Sequence, residues 1–316
     1  MKTIICALVL ASIPALAAAA ERPDWAFGPP AQPGQAAPTP AVDDGKPRQV
    51  PGSGKTYTQT QLEDPANPPD WFPDEHPPMP AVVAHGKPGT AVRACVTCHV
   101  GNGHGHPENS RLPGATAAYL ARQLIEFKSG ARAGTAPINM INIAKGMTDE
   151  EIRASADYFA GLKLLSWTRV VETDTVPKFF FGRGNMRLPV AEGGSEPIGH
   201  RIVELPEDSA RVALRDPHSG FIAYVPVGSV AKGEALVTTG GGKTIPCAIC
   251  HGQTLKGLGD VPGISGRSPS NVARQLYYIQ TGERGGPTVA LMKAVVEKLS
   301  GDDVLAISAY LASREP

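Results

Sequence analysis

Residues 95–159 lie over residues 247–311 at a constant offset of 152 without a single gap, and this internal repeat constrains the chain more than any other feature. The register matches Cys95, Cys98 and His99 to Cys247, Cys250 and His251, and Gly114 to Gly266. It also matches Arg122-Gln123-Leu124 to Arg274-Gln275-Leu276, Gly130 to Gly282, Arg132 to Arg284, Met140 to Met292 and Tyr158 to Tyr310. A fixed offset means one structural unit used twice. Leu120, Leu124 and Phe127 in one copy, and Val272, Leu276 and Ile279 in the other, have the i, i+4, i+7 spacing of one apolar helix face. A second helix opens at Thr148 or Ser300, with Thr148 and Glu151 spaced as a capping box. It stripes Ile152, Ser155 and Phe159, or Val304, Ile307 and Leu311, along one side. The expected fold is mainly α, in two small units, with an irregular loop carrying each methionine.

The cysteines say what fills those units. Apart from Cys6, the only cysteines are Cys95, Cys98, Cys247 and Cys250, each pair closed by a histidine. Cys95-Val-Thr-Cys98-His99 and Cys247-Ala-Ile-Cys250-His251 have the CxxCH form that attaches haem c. Two thiols add across the two vinyl groups of one porphyrin edge, and the adjoining histidine reaches the iron. A redox-active dithiol needs a βαβ setting that the pattern lacks. A zinc site using all four cysteines leaves the helical repeat unexplained. The sixth iron ligand is open to any His or Met. Met140 and Met292 each fall 41 residues after their histidine, whereas Met147 is matched by Leu299 and reads as core filler. His104 and His106 match Lys256 and Leu258 and read as solvated loop residues, and His76, His85, His200 and His218 carry no positional signal. Arg122 with Arg274, or Arg132 with Arg284, are candidates to pair with haem propionates. The ligating histidines should donate their second ring nitrogen to a backbone carbonyl.

Outside the repeats, Lys2, an apolar run from Ile4 to about Leu16 and alanines up to Glu21 read as a signal peptide over residues 1–20, too short to span a bilayer. Residues 21–89 are a proline-rich extended leader, with 16 of the 31 prolines between 23 and 88. Its early part, to about Val50, reads as flexible, and its later part, with Trp71, Phe72 and Met79, as an extended strap. Residues 163–229 form an intervening segment with short strands expected at Arg201–Leu205, Arg211–Arg215 and Phe221–Val225. Thr239-Gly-Gly-Gly-Lys243 reads as a flexible lead into the second unit. Thirty basic and thirty acidic residues leave no basic excess for nucleic acid.

With these residues in view, the chain resembles the tandem dihaem class I cytochromes c of bacteria, the c-four group. The family's "GxxxxYLxxQLxxF" helix is matched by Gly114 with Tyr119 to Phe127, and by Gly266 with Asn271 to Ile279. Its methionine ahead of an "LSDE" helix start is matched by Met140 before Met147-Thr-Asp-Glu150, and by Met292 before Leu299-Ser-Gly-Asp302. The resemblance implies cytochrome c domains at 90–162 and 230–316 and two covalently attached haem c groups. It implies iron ligands His99 with Met140 and His251 with Met292. It also implies single-electron transfer between redox partner proteins in the periplasm of a Gram-negative bacterium, among them a membrane oxidase or a dehydrogenase complex. The expected role is that of a carrier and not an enzyme. The alternatives are a fixed cytochrome subunit of such a complex, or a dihaem enzyme acting on peroxide or thiosulfate. The resemblance does not extend to the leader or to residues 163–246.

Overall fold

The computed structural model describes residues 20–29, 42–134 and 138–316. The expected signal peptide, except Ala20, and residues 30–41 of the leader lie outside the described residues. In chain order the leader carries α1 (Gln59–Glu63) and α2 (Ala81–Ala84). The first repeat follows as α3 (Val96–His99), α4 (Ala117–Ser129), α5 (Ile138–Lys145) and α6 (Asp149–Ala160). The second repeat returns these as α9 (Ala248–His251), α10 (Pro269–Thr281), α11 (Ala290–Val296) and α12 (Gly301–Ser313), each starting 152 residues after its counterpart.

The repeated sequence explains the repeated ends. Thr116 and Ser268 cap α4 and α10 by accepting the amide N–H of Tyr119 and Asn271. Both helices stop at a glycine with φ 81°, Gly130 and Gly282, the left-handed conformation that a side chain makes costly. Thr148 with Glu151 and Ser300 with Asp303 form complete capping boxes for α6 and α12. Each repeat buries its own core. Val96, Leu120, Ile143, Met147, Ile152 and Phe159 meet in the first, and Val272, Leu276, Ile279, Val296, Leu299 and Val304 in the second. Met147 and its counterpart Leu299 are both buried, as the match of a methionine to a leucine implied.

The intervening segment contains β1 (Thr168–Glu172), β2 (Thr175–Pro177), β3 (Phe179–Phe181), β4 (Arg187–Pro189), β5 (Ser195–Pro197), β6 (Val203–Pro206) and β7 (Phe221–Val225). β7 lies in the centre of a three-stranded sheet, parallel to β1 and antiparallel to β6. Ala223 and Val225 of β7 pack with Ile202 against Leu305 and Ala309 of α12, so the sheet lies on the second repeat. Phe221–Val225 was expected as a strand, and the Arg201–Leu205 strand begins at Val203. Arg211–Arg215 is not a strand. Ser209–Ala213 forms helix α7, because Asp208 caps it by accepting the Arg211 amide and only Val212 within it is β-branched.

Helix α8 (Ser229–Thr239) was also not anticipated. It crosses α12 at Gly233, where an added Cβ would lie 2.0 Å from the Ala306 carbonyl oxygen. The helix ends at Gly240, and Gly240–Gly242 form a tight turn instead of a loose lead. β8 (Gly257–Leu258) and β9 (Val261–Pro262) make a small hairpin beside α9.

The described parts of the leader are docked at both ends, which corrects the reading of its early part as flexible for the segment around Ala26 and Phe27. Ala26 and Phe27 are buried in the second repeat, with the Phe27 ring edge-on to Tyr277 and Tyr278. Arg274 donates to the Ala26 carbonyl (2.6 Å) and to the Pro107 carbonyl (2.7 Å), tying the leader to both repeats. Further along, Val50, Leu62 and Trp71 form their own cluster, and the Trp71 indole donates to the Leu214 carbonyl at 2.7 Å. The strap expected at Trp71, Phe72 and Met79 is therefore present. Among the described residues no helix is long and apolar enough to cross a membrane.

The two repeats meet across a pseudo-two-fold contact. The Ala133 amide donates to the Glu283 carbonyl (2.7 Å) and the Gly285 amide to the Ala131 carbonyl (2.8 Å), which are equivalent bonds at the 152-residue offset. Arg132 reaches the Oε1 of Gln123 and of Gln275, both at 2.9 Å. Arg284 reaches the same two oxygens at 3.0 and 2.9 Å. Burial and the facing Arg284 charge push the Arg132 guanidinium down to about 9.

Candidate haem-attachment sites

Each CxxCH forms a single helical turn, because a cysteine, two spacer residues and a second cysteine bring both thiols to one side of the turn. The following histidine is buried, His99 at 7% and His251 at 8% exposure. His99 Nδ1–H donates to the Ser110 carbonyl at 2.9 Å, and His251 Nδ1–H to the Pro262 carbonyl at 2.8 Å. Ser110 and Pro262 are themselves a pair at the repeat offset, so the expected carbonyl anchor exists twice. Anchoring Nδ1 leaves Nε2 as the free lone pair, the tautomer an iron ligand needs. Burial pushes His99 down to about 4 and lowers His251 as well, so both rings are neutral near pH 7.

The thiols are unlike those of exchange catalysts. Burial pushes Cys95 up to about 12 and Cys247 to about 11, and raises Cys98. Reactive CxxC pairs instead lower a thiol toward neutrality. All four are free cysteines, and the two pairs border separate cores. Among the described residues no three His, Cys, Asp or Glu side chains gather as a metal site of their own.

Met140 and Met292 were expected in irregular loops. They lie on helices, as the third residues of α5 and α11. Met140 borders the core that Cys95 borders, and Met292 the core of Cys247 and Ala248. The helical setting follows from the local sequence, since Ile-Asn-Met-Ile-Asn-Ile-Ala-Lys and Ala-Leu-Met-Lys-Ala-Val-Val contain no Gly or Pro.

Several buried guanidinium nitrogens have no hydrogen-bond partner in the protein: all three of Arg111, Nε of Arg122 and Nε of Arg284. A buried donor without an acceptor is costly. The carboxylates of haem propionates would satisfy such groups, so the residues present fit the cofactor that the motifs imply. Of the arginines singled out from sequence, Arg274 is committed to two backbone carbonyls and does not fit that role. Arg111 was missed because its counterpart, Gly263, breaks the repeat.

The remaining histidines are engaged elsewhere. His104, expected as a solvated loop residue, is 2% exposed. Its Nδ1–H donates to the Asn102 carbonyl, and its Nε2 accepts the Leu165 amide at 2.9 Å. Stacked beside Trp167, whose indole donates to the Gly105 carbonyl, it joins the first repeat to the intervening segment. His106 packs against Phe221 and is half-buried. His76, His85 and His218 bond to Asp70, Asn67 and Glu75, and His200 lies 3.4 Å from Asp302.

No protein-family model matches the chain. The "Thiosulfate dehydrogenase electron acceptor" of Stutzerimonas stutzeri (strain A1501) is 28% identical over 237 residues, covering 73% of this chain and 84% of that protein. "Cytochrome c-554(548)" of Halomonas halodenitrificans is 32% identical over 89 residues, which are 28% of this chain and 99% of that cytochrome. A solved structure, thiosulfate dehydrogenase (TsdBA) from Marichromatium purpuratum, superposes with a TM-score of 0.48 at 27% identity. That superposition covers 71% of this chain and 37% of that protein, so the chain spans little more than a third of its length.

Proposed function

The chain belongs to the dihaem class I cytochrome c family, and on that premise we propose that it is a periplasmic electron carrier. It takes single electrons from one redox partner protein and passes them to another through two covalently bound haem c groups. The observation that carries this reading is the doubled anchor, His99 on Ser110 and His251 on Pro262, each beside a cysteine, Cys95 or Cys247, whose thiol burial holds well above its ordinary range. Cys95 and Cys98, and Cys247 and Cys250, hold one haem each in domains at 90–162 and 230–316. The iron of bound haem supplies a one-electron couple. His99 and His251 present a neutral Nε2 to it, and Met140 and Met292 supply thioethers, which favour the reduced state. The buried cores around each site keep water away and hold the ligand side chains in place. Electron transfer needs no further catalytic group, and the role is that of a carrier instead of an enzyme. The relatives named as electron acceptors of thiosulfate dehydrogenase support a periplasmic dehydrogenase as the donor.

The test uses protein matured in cells that attach haem. Intact mass should show two haem additions, and the oxidised protein should show the weak far-red band of a methionine–ferric haem bond. That band should fall by about half in Met140→Ala or Met292→Ala and vanish in the double variant, if both centres absorb alike. Its persistence in the double variant would overturn the ligand assignment, and one haem addition or none would overturn the carrier. In a second arm, electrons from a thiosulfate dehydrogenase should reduce the protein within the mixing time of a stopped-flow instrument. Reduction by thiosulfate alone at that rate would favour the enzyme reading.

A further inference from the structure

The two attachment turns are equivalent in sequence but not in what covers them. On the first repeat the leader lies over the turn. The Ala94 amide and the Thr97 hydroxyl both donate to the Pro65 carbonyl, at 3.2 and 2.9 Å, and the Cys95 amide and thiol face the Val82 carbonyl. The Gly86 amide returns to the Ala66 carbonyl, and Lys87 ties the same strap to Glu151 at 2.7 Å.

Nothing of this kind covers the second turn among the described residues. Ile249, the counterpart of Thr97, is 64% exposed, and Cys250 is exposed where Cys98 is half-buried. Leu258 on the adjoining hairpin is 61% exposed, Ile245 just ahead of the turn 41%, and Leu291, next to Met292, 78%. These side chains belong to one region. A Cβ added at Gly252, at the end of α9, would lie 3.9 Å from the Leu258 Cβ, and the Thr244 hydroxyl donates to the Val295 carbonyl in α11. The same stretches carry two exposed acidic residues, Asp260, which accepts from the Thr116 hydroxyl at 3.0 Å, and Glu297, against three exposed lysines, Lys256, Lys293 and Lys298. The lysines' counterparts in the first repeat are His104, Ile141 and Gly146, none of them a lysine.

We propose that this face of the second repeat, centred on Ile249 and Leu258 and rimmed by Lys256, Lys293 and Lys298, is where a redox partner protein docks. The partner it fits has an apolar centre with a carboxylate-rich rim. Apolar contact at the centre supplies adhesion, and the opposite-sign rims steer encounter and set orientation. The first repeat is closed to the same approach by its own leader, so exchange with this partner runs through the second repeat. The inference rests on the haem reading above, because it is the attachment turn that brings the partner close to the cofactor.

The probe is a gold electrode coated with a mixed methyl- and carboxylate-terminated monolayer, which mimics such a partner, and the protein is the full holoprotein. The quantity read is the interfacial electron-transfer rate constant. K256E/K293E/K298E should lower it roughly tenfold, Ile249→Thr should lower it without changing charge, and Arg93→Glu on the first repeat should leave it within about twofold. An unmodified visible spectrum in every variant checks that the haems are in place. If no variant or parent protein shows a wave or haem absorbance, the haem reading fails and not the docking surface alone. If Arg93→Glu slows transfer as much as the triple variant, or the triple variant matches the parent, the docking face is misplaced. Sedimentation gives a second readout: a dimer that Ile249→Thr disperses would mean that a second copy of the chain occupies the face, and would overturn the proposal.

Discussion

Replacing Gln275 with leucine should test how firmly the two repeats are joined. The Gln275 Oε1 accepts from Arg132 Nη2 and Arg284 Nη1, both at 2.9 Å. Leucine keeps the volume but leaves two charged donors without that acceptor. An unmet buried donor costs about 1–3 kcal/mol, and the lower half of that range applies here because both side chains keep some access to water, giving about 2–4 kcal/mol in all. Arg132 retains one bond to Gln123, as does Arg284, so the contact should loosen without falling apart. The assay is urea unfolding of the holoprotein, followed by haem absorbance and tryptophan fluorescence. A loss of about 2–4 kcal/mol is expected, with the haem and fluorescence transitions separating as the repeats uncouple. Gln275→Glu restores the acceptor and adds a charge of the sign two guanidinia favour, so it should recover the loss. Stability of the leucine variant within about 1 kcal/mol of the parent, or an equal fall in the glutamate variant, would refute the reasoning.

Three other expectations follow from single contacts. Gly233→Val should destabilise the second repeat by about 3 kcal/mol or more in thermal melts of the holoprotein, because even a Cβ collides with the Ala306 carbonyl. Burial, with Arg111 nearby, pushes His104 down to about 3, so between pH 6.5 and 3 the unfolded chain takes up a proton that the folded one refuses. Stability should therefore fall with pH in that window, by about 2–3 kcal/mol at pH 4.5, and unfolding curves of His104→Asn should show a shallower pH slope. Arg274→Ala should expose the 21–28 segment to limited proteolysis while leaving the spectra of both haem sites unchanged, because its two bonds go to the Ala26 and Pro107 carbonyls.

Much of the site was legible because it is encoded locally. CxxCH sets a helical turn and a histidine, and the gapless offset carried helix starts, caps and the carbonyl anchor from one copy to the other. What stayed illegible depends on distant partners. His104 looked like a loop residue because its counterpart is Lys256. Its burial comes from Leu165 and Trp167, some sixty residues away. The early leader looked flexible because prolines forbid regular structure, yet Phe27 is held by Tyr277 and Tyr278 through packing that no local pattern announces. Helix α7 was misread because a short run with charged ends has no clear period, and the signal lay in its cap, Asp208, outside the run. The methionines were expected in loops, but the stretches that carry them, free of Gly and Pro, form the helices α5 and α11.

The docking of Phe27 has a consequence for how the chain is made. Residues 21–28 are synthesised early, yet the surface they rest on is built from residues about 250 positions later. The Arg274–Ala26 bond spans 248 positions. Loop closure over such a span is slow compared with forming either helical repeat, so this clasp should be among the last contacts to form. A chain halted before its second half is complete has no place to store that aromatic segment, and it stays accessible to proteases and chaperones. The leader thereby reports completion: only a molecule with its distal half folded conceals Ala26 and Phe27.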